Sequence, residues 1–195
     1  TSVTLLGGLD GFVAVTDNAE PRINLLFVSR EDGTEACRMP VFSEGKSGTD
    51  ITTIGFEHSP GSGEYSVIVE NNWGRHFFPV AFPEAGISRV DLLRQADGSY
   101  QCEQAWTNAE KNLGVFKMSL GNGLIYTYFR DGYLPFSRWY FTAIDFHSGK
   151  TIFKKLAGTG IGYNNWAGAI FIHPEGGIVY STTIFGLVMM ENVQP

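Results

Sequence analysis

Apolar and polar residues alternate along this chain in short runs, and the runs recur. Four of them open on a glycine and end on a polar tip: Gly11 leads Phe12-Val13-Ala14-Val15-Thr16 to Asp17-Asn18, and Gly63 leads Tyr65-Ser66-Val67-Ile68-Val69 to Glu70-Asn71-Asn72. Gly123 leads Leu124-Ile125-Tyr126-Thr127-Tyr128-Phe129 to Arg130-Asp131, and Gly177 leads Ile178-Val179-Tyr180 to Ser181-Thr182-Thr183. A period of two, rich in β-branched and aromatic residues, predicts a strand in each. Between them lie paired runs joined by a turn: Ile23–Phe27 and Ala36–Val41 through Asp32-Gly33, Ser88–Leu93 and Tyr100–Trp106 through Asp97-Gly98, Tyr140–Phe146 and Thr151–Leu156 through Ser148-Gly149. Asp-Gly and Ser-Gly supply the positive φ that hairpin turns demand.

A further apolar stretch is read as closing each unit: Ile51–Phe56, Val115–Leu120 and Ala169–His173. The unit is then an inner strand, a middle hairpin and an outer strand, repeated about every 55 residues, with no amphipathic helix between. Four antiparallel strands per repeat of this length predict an all-β chain, a β-propeller of four-stranded blades; a β-sandwich is the alternative. About three and a half blades fit. The last unit offers only Phe185–Met190 after its first strand, and Val3–Leu6 reads as an outer strand of an earlier unit. The expectation is one propeller domain over residues 1–195, closed by strand exchange between its ends, or a fragment of a larger propeller whose partner is the remainder of that propeller. The chain begins at Thr1, not Met, and is read as a processed product or a fragment.

Composition agrees with many strands and tight turns. Aromatic residues reach 14%, charged residues only 17%, and 24 glycines are spread through 195 residues. The formal charge is −6 with no basic run, which argues against nucleic acid and anionic membrane as partners. No apolar stretch is long enough to cross a bilayer as a helix.

The segment Ala143-Ile144-Asp145-Phe146-His147-Ser148-Gly149-Lys150-Thr151-Ile152-Phe153 resembles the repeat of quinoprotein-type propellers, with Ser for Thr and Phe for Trp. The match covers one blade. It implies the fold and, more weakly, a quinone-dependent oxidoreductase. The whole chain is similar to a group of uncharacterised secreted bacterial propeller proteins, distantly like calcium-dependent lactonases of the gluconolactonase type. That resemblance implies an extracellular or periplasmic protein and a Ca²⁺ held by acidic and amide side chains.

In a meander of this kind the loops after first and third strands share an end. Asp17, Asn18, Glu70, Asn71, Asn72, Trp73, Arg130 and Asp131 follow first strands, and Asn164, Asn165 and Trp166 follow a third. The expected site is therefore one polar loop face, serving a small molecule or a protein. Asn71, Asn72, Trp73, Arg130, Asp131, Asn164, Asn165 and Trp166 would bind the ligand. Asp17, Asn18 and Glu70 would supply oxygens to a hard cation, which could polarise a lactone carbonyl. The plainer reading is that Asn and Asp cap turns and Trp packs between blades.

His58, His76, His147 and His173 show no zinc spacing, His147 falls in an exposed turn, and no nucleophile elbow occurs. Gly158-Thr159-Gly160-Ile161-Gly162 precedes no helix and reads as a connection, not a phosphate loop. Cys37, Cys102 and Phe153 each lie four residues after a turn glycine. Equivalent positions in neighbouring blades are expected to stand too far apart to bridge, which favours free thiols; the even count leaves a disulfide and a secreted home open. The function expected is a ligand- or partner-binding scaffold, with a calcium-dependent lactonase-like hydrolase as the alternative.

Overall fold

In the computed structural model, residues 2–74, 83–132 and 136–191 are described. His76 lies outside them. The chain is all-β and propeller-like, a succession of antiparallel meander sheets. Sheet I holds β1 (Thr4–Leu6), β2 (Phe12–Thr16), β3 (Asn24–Ser29) and β4 (Glu35–Pro40). Sheet II holds β5 (Ile54–Glu57), β6 (Tyr65–Glu70), β7 (Ile87–Arg94) and β8 (Tyr100–Asn108). Sheet III holds β9 (Lys117–Ser119), β10 (Leu124–Asp131), β11 (Arg138–Asp145) and β12 (Thr151–Thr159). Sheet IV holds β13 (Ile170–Ile172), β14 (Ile178–Thr183) and β15 (Gly186–Glu191). Three full sheets and one of three strands match the expected count.

The phase of the repeat differs from the sequence reading. The strands read as closing each unit open the next one: Ile54 pairs with Ile68, Met118 with Ile125, and Phe171 with Tyr180. Val3–Leu6 likewise supplies β1 of the first sheet, with Thr4 opposite Ala14. Connection length does not set the phase: 71–86 joins β6 to β7 inside sheet II, whereas the shorter 41–53 carries the chain from sheet I to sheet II.

The chain divides into two compact units. Unit 1 contains sheets I and II, and unit 2 contains sheets III and IV. In unit 1 the alternation works as predicted. Phe12, Ala14, Leu25 and Phe27 from sheet I share a core with Tyr65, Val67, Val69, Val90 and Leu92 from sheet II. In unit 2, Tyr126, Tyr128, Trp139, Phe141 and Ala143 from sheet III meet Ile170 and Val179 from sheet IV. Each fully buried Val, Leu or Phe side chain contributes about 1.5–3 kcal/mol. Trp139 stacks on Tyr128 at 5.7 Å, and its Nε1 donates to the Gly160 carbonyl at 2.8 Å.

The hairpin turns have the expected chemistry. Gly33, Gly98 and Gly149 take φ of 75°, 86° and 67°. Beside them, Asp97 accepts from the backbone and hydroxyl of Ser99, and Asp145 from those of Ser148.

The cysteines depart from expectation. Cys37 on β4 and Cys102 on β8 form a disulfide, with Cα atoms 5.9 Å apart. Their positions are equivalent, as the spacing indicated. What the spacing could not give is that the fourth strands of sheets I and II run side by side within unit 1. The bridge spans 65 residues of sequence, which corresponds to about 4 kcal/mol of lost unfolded-state entropy.

Candidate functional site

The predicted loop residues fall in two groups, one in each unit. In unit 1, the loop 41–53 arches under the tips that follow β2 and β6. Thr49 joins them: its backbone N–H donates to Asn18 Oδ1 at 3.2 Å and its hydroxyl to Asn72 Oδ1 at 3.1 Å. Asn71 Oδ1 accepts from the backbone of Gly48 and Trp73, and its Nδ2 donates to the Lys46 carbonyl. Glu70, Asn71 and Asn72 are buried, and Glu70 Oε1 accepts from Asn72 Nδ2 at 2.7 Å. Trp73 lies against Gly48.

Asp17 belongs to a different network. Its Oδ1 accepts from the backbone N–H groups of Ala19 and Asn24, and its Oδ2 from Asn24 Nδ2 and from Arg38 at 3.0 Å. Burial works to raise its pKa, but these hydrogen bonds and the Arg38 charge outweigh it and hold the carboxyl below its ordinary value. Asp17, Asn18 and Glu70 thus act as caps and braces for the loops that carry them. Among the described residues no three His, Cys, Asp or Glu side chains are grouped to hold a metal ion.

In unit 2, Arg130 and Asp131 end β10. Arg130 is buried, donates to the Gly132 carbonyl at 2.7 Å and lies 5.9 Å from the Trp139 ring centre; burial lowers its pKa. Asp131 pairs with Lys154 at 3.4 Å. Asn164, Asn165 and Trp166 form a separate feature, a clamped turn after the 3-10 segment Ile161–Tyr163. Asn164 Oδ1 accepts from the Trp166 N–H at 2.9 Å. The Gly168 N–H donates to the Asn165 carbonyl, and Asn165 Nδ2 returns a bond to the Gly168 carbonyl. Asn165 is buried, and its Oδ1 has no partner among the described residues.

Inside this clamp Trp166 and Ala167 take φ of 53° and 61°. That left-handed region costs an L-residue with a side chain about 1–2 kcal/mol. The outcome is that Trp166 faces solvent, 63% exposed. The β14–β15 turn is zipped to the same segment: the Ile184 N–H donates to the Asn164 carbonyl and the Phe185 N–H to the Gly162 carbonyl. The Phe185 ring lies on Gly162, where any Cβ would collide with it. Ile161 (49% exposed), Ile184 (46%) and Phe185 (82%) join Trp166 as exposed apolar side chains on these two loops.

Sequence reasoning named Trp166 but missed Ile161, Ile184 and Phe185. A signal was there. Between Lys155 and Glu191 the only formally charged residue is Glu175, so these loops carry no charge to solvate them. The histidines proved mixed. His147 is exposed, and His173 Nδ1 accepts from the Glu175 N–H. His58 joins a cluster invisible in the sequence: its Nε2 lies 2.8 Å from Ser66 Oγ, which donates to Asp91 Oδ1 at 2.7 Å. Arg89 grips both oxygens of Asp91. Ser66, the second residue of β6, is fully buried, so the cluster braces the sheet and offers no accessible nucleophile.

No protein-family model matches the chain, and no curated protein is significantly similar to it in sequence. Among solved structures it is similar to BamB from Moraxella catarrhalis, at 10% sequence identity and a TM-score of 0.38. The similarity covers 93% of this chain and 62% of that one, so the chain spans less than two thirds of that protein's length.

Proposed function

We propose that the protein is a binding module that recognises another protein through the loop end of unit 2. The observation that carries this reading is the clamped turn at Asn164–Gly168, where two residues in left-handed backbone hold Trp166 out in solvent. Strain maintained at an exposed aromatic is a cost without a folding return, and such strain gathers at recognition sites. The neighbours support the reading. Trp, Phe and Ile on charge-free loops match the composition of interface centres, where aromatic anchors carry most of the energy.

A calcium-dependent lactonase would use Asp17 and Glu70 as ligands, but their oxygens serve Asn24, Arg38 and Asn72. The site therefore favours the binding reading over a hydrolase. The Cys37–Cys102 disulfide favours an extracellular or periplasmic home.

The test is a photo-crosslinking amino acid at Phe185, introduced into the protein in its own cell, with products identified by mass spectrometry. One predominant protein adduct, abolished by Trp166→Ala, is expected. Adducts to lipid alone, no adduct, or an adduct indifferent to Trp166→Ala would overturn the reading.

A further inference from the structure

At the opposite end of unit 1 from Asn18 and Asn72, the loops that follow the first strands of sheets I and II enclose a cleft of about 380 Å³. None of its residues belongs to the predicted polar face. Its floor is aromatic: Phe12 meets Tyr65 and Tyr100 edge-on, with ring centres 6.0 and 4.7 Å apart. Its rim carries Asp10, Glu57 and Arg94.

Strand register explains why these groups converge. Glu57 stands opposite Tyr65, Tyr65 opposite Leu92, and Arg94 opposite Tyr100. Residues two apart share a face, so Arg94 follows Leu92 onto the side that faces sheet I. The apolar inner face of sheet II therefore ends in a polar row. Glu57 and Arg94 sit on the strands flanking β6, about 12 Å apart at the backbone. Asp10 closes the row from the loop of the facing sheet.

Most of these groups are also unspent, Glu57 accepting at one oxygen from the Gly61 N–H at 2.9 Å. Among the described residues, the Asp10 carboxylate, the Arg94 guanidinium and the hydroxyls of Tyr65 and Tyr100 have no hydrogen-bond or ion-pair partner. Tyr65 is the telling one, because it is 96% buried yet its hydroxyl opens on the cleft. Burial first, then the electrostatic influence of Glu57, Tyr100 and Asp10, raises its pKa, which keeps it a hydrogen-bond donor at neutral pH. The walls leave it room. A Cβ at Gly7 would strike the Tyr65 hydroxyl, and one at Gly63 would crowd that of Tyr100 at 3.3 Å.

A neutral polyol would leave three formal charges uncompensated here. A ligand with two cationic groups and one carboxylate would match all three. We propose that the cleft binds a basic α-amino acid, with its carboxylate on Arg94 and its two cationic groups on Asp10 and Glu57. The aromatic floor would carry the aliphatic chain, and the tyrosine hydroxyls would donate to the carboxylate.

Isothermal titration calorimetry with L-lysine and L-arginine tests this, with L-glutamate and glucose as comparators. Saturable binding of lysine or arginine is expected, weakened about tenfold or more by Arg94→Gln and by Asp10→Asn, since charge-assisted pairs are the strong ones. Asp10 and Arg94 are exposed, so both variants should fold like the parent, which circular dichroism checks. No heat with either basic amino acid, equal binding of glutamate or glucose, or indifference to both substitutions would overturn the assignment. The surface around Trp166 plays no part in this titration, so its fate is decided separately.

Discussion

Unit 1 pairs two complete four-stranded sheets and bolts their last strands together through Cys37 and Cys102. Unit 2 pairs a four-stranded sheet with one that has three strands among the described residues, and Phe153 stands where the cysteines stand in unit 1. Each unit also leaves a space between its sheets. Unit 1 opens there in a cleft of Asp10, Glu57, Arg94 and tyrosine hydroxyls. Unit 2 has an inter-sheet cavity of about 210 Å³, where Leu124, Phe153, Ile172 and Met190 share the lining with Asn122, Lys155 and Glu191. One repeat plan thus yields a covalently closed unit whose opening gathers aromatic hydroxyls beneath three charges, and an uncrosslinked unit whose opening mixes apolar side chains with Lys155 and Glu191.

Perturbing each unit separately would sharpen or break that contrast. The largest effect is expected from Trp139→Ala, which removes a buried ring and the donor to the Gly160 carbonyl. It should cost about 5 kcal/mol. Amide hydrogen exchange should show the loss in β10 and β11 and leave β6 and β7 unchanged; equal loss in both would merge the units into one cooperative block. Replacing Cys37 and Cys102 together by Ser should cost unit 1 about 4 kcal/mol. Urea unfolding followed by exchange in β4 and β8 reads it, and an unmoved midpoint would contradict the clamp.

Ala167→Gly should instead stabilise unit 2, by about 1 kcal/mol, because glycine takes the left-handed backbone freely. A lowered thermal midpoint would mean that the turn is not strained.

The smallest effect is acid sensitivity, and it should be common to both units. Hydrogen bonds from Thr34, Ser99 and Ser148 hold the pKa values of Asp32, Asp97 and Asp145 below the usual carboxylate value. A depressed folded-state pKa stabilises above the unfolded value of about 3.9 and is lost as pH falls through the folded one. Stability should therefore decline in both units below about pH 4. If Asp145→Asn removed none of the acid slope of unit 2, this account of the turns would fail.

The strands and turns were legible because a period of two and Asp-Gly pairs act locally. The phase of the repeat was not, since a repeat has no origin and only the pairing made in the folded chain shows which strand Ile54–Glu57 joins. The disulfide was hidden for a related reason: equal positions in successive sheets do not reveal how far apart two fourth strands run. At the candidate site, Trp166 was visible as one of the loop residues that follow a third strand. Its exposure depends on left-handed Ala167, which no propensity rule would place there. The polar cleft was invisible because its charges lie far apart in sequence and meet only through register.

The phase of the sheets also decides where this chain can be divided by genetic means. A break at a repeat glycine such as Gly63 would separate β5 from β6 and leave half a hairpin on each product. A break near Glu110 and Lys111, between β8 and β9, would give a leading fragment that holds the strands of sheets I and II and their disulfide. Circular permutants should be opened and insertions placed at that seam, and the glycines that announce the repeat are the wrong places to cut.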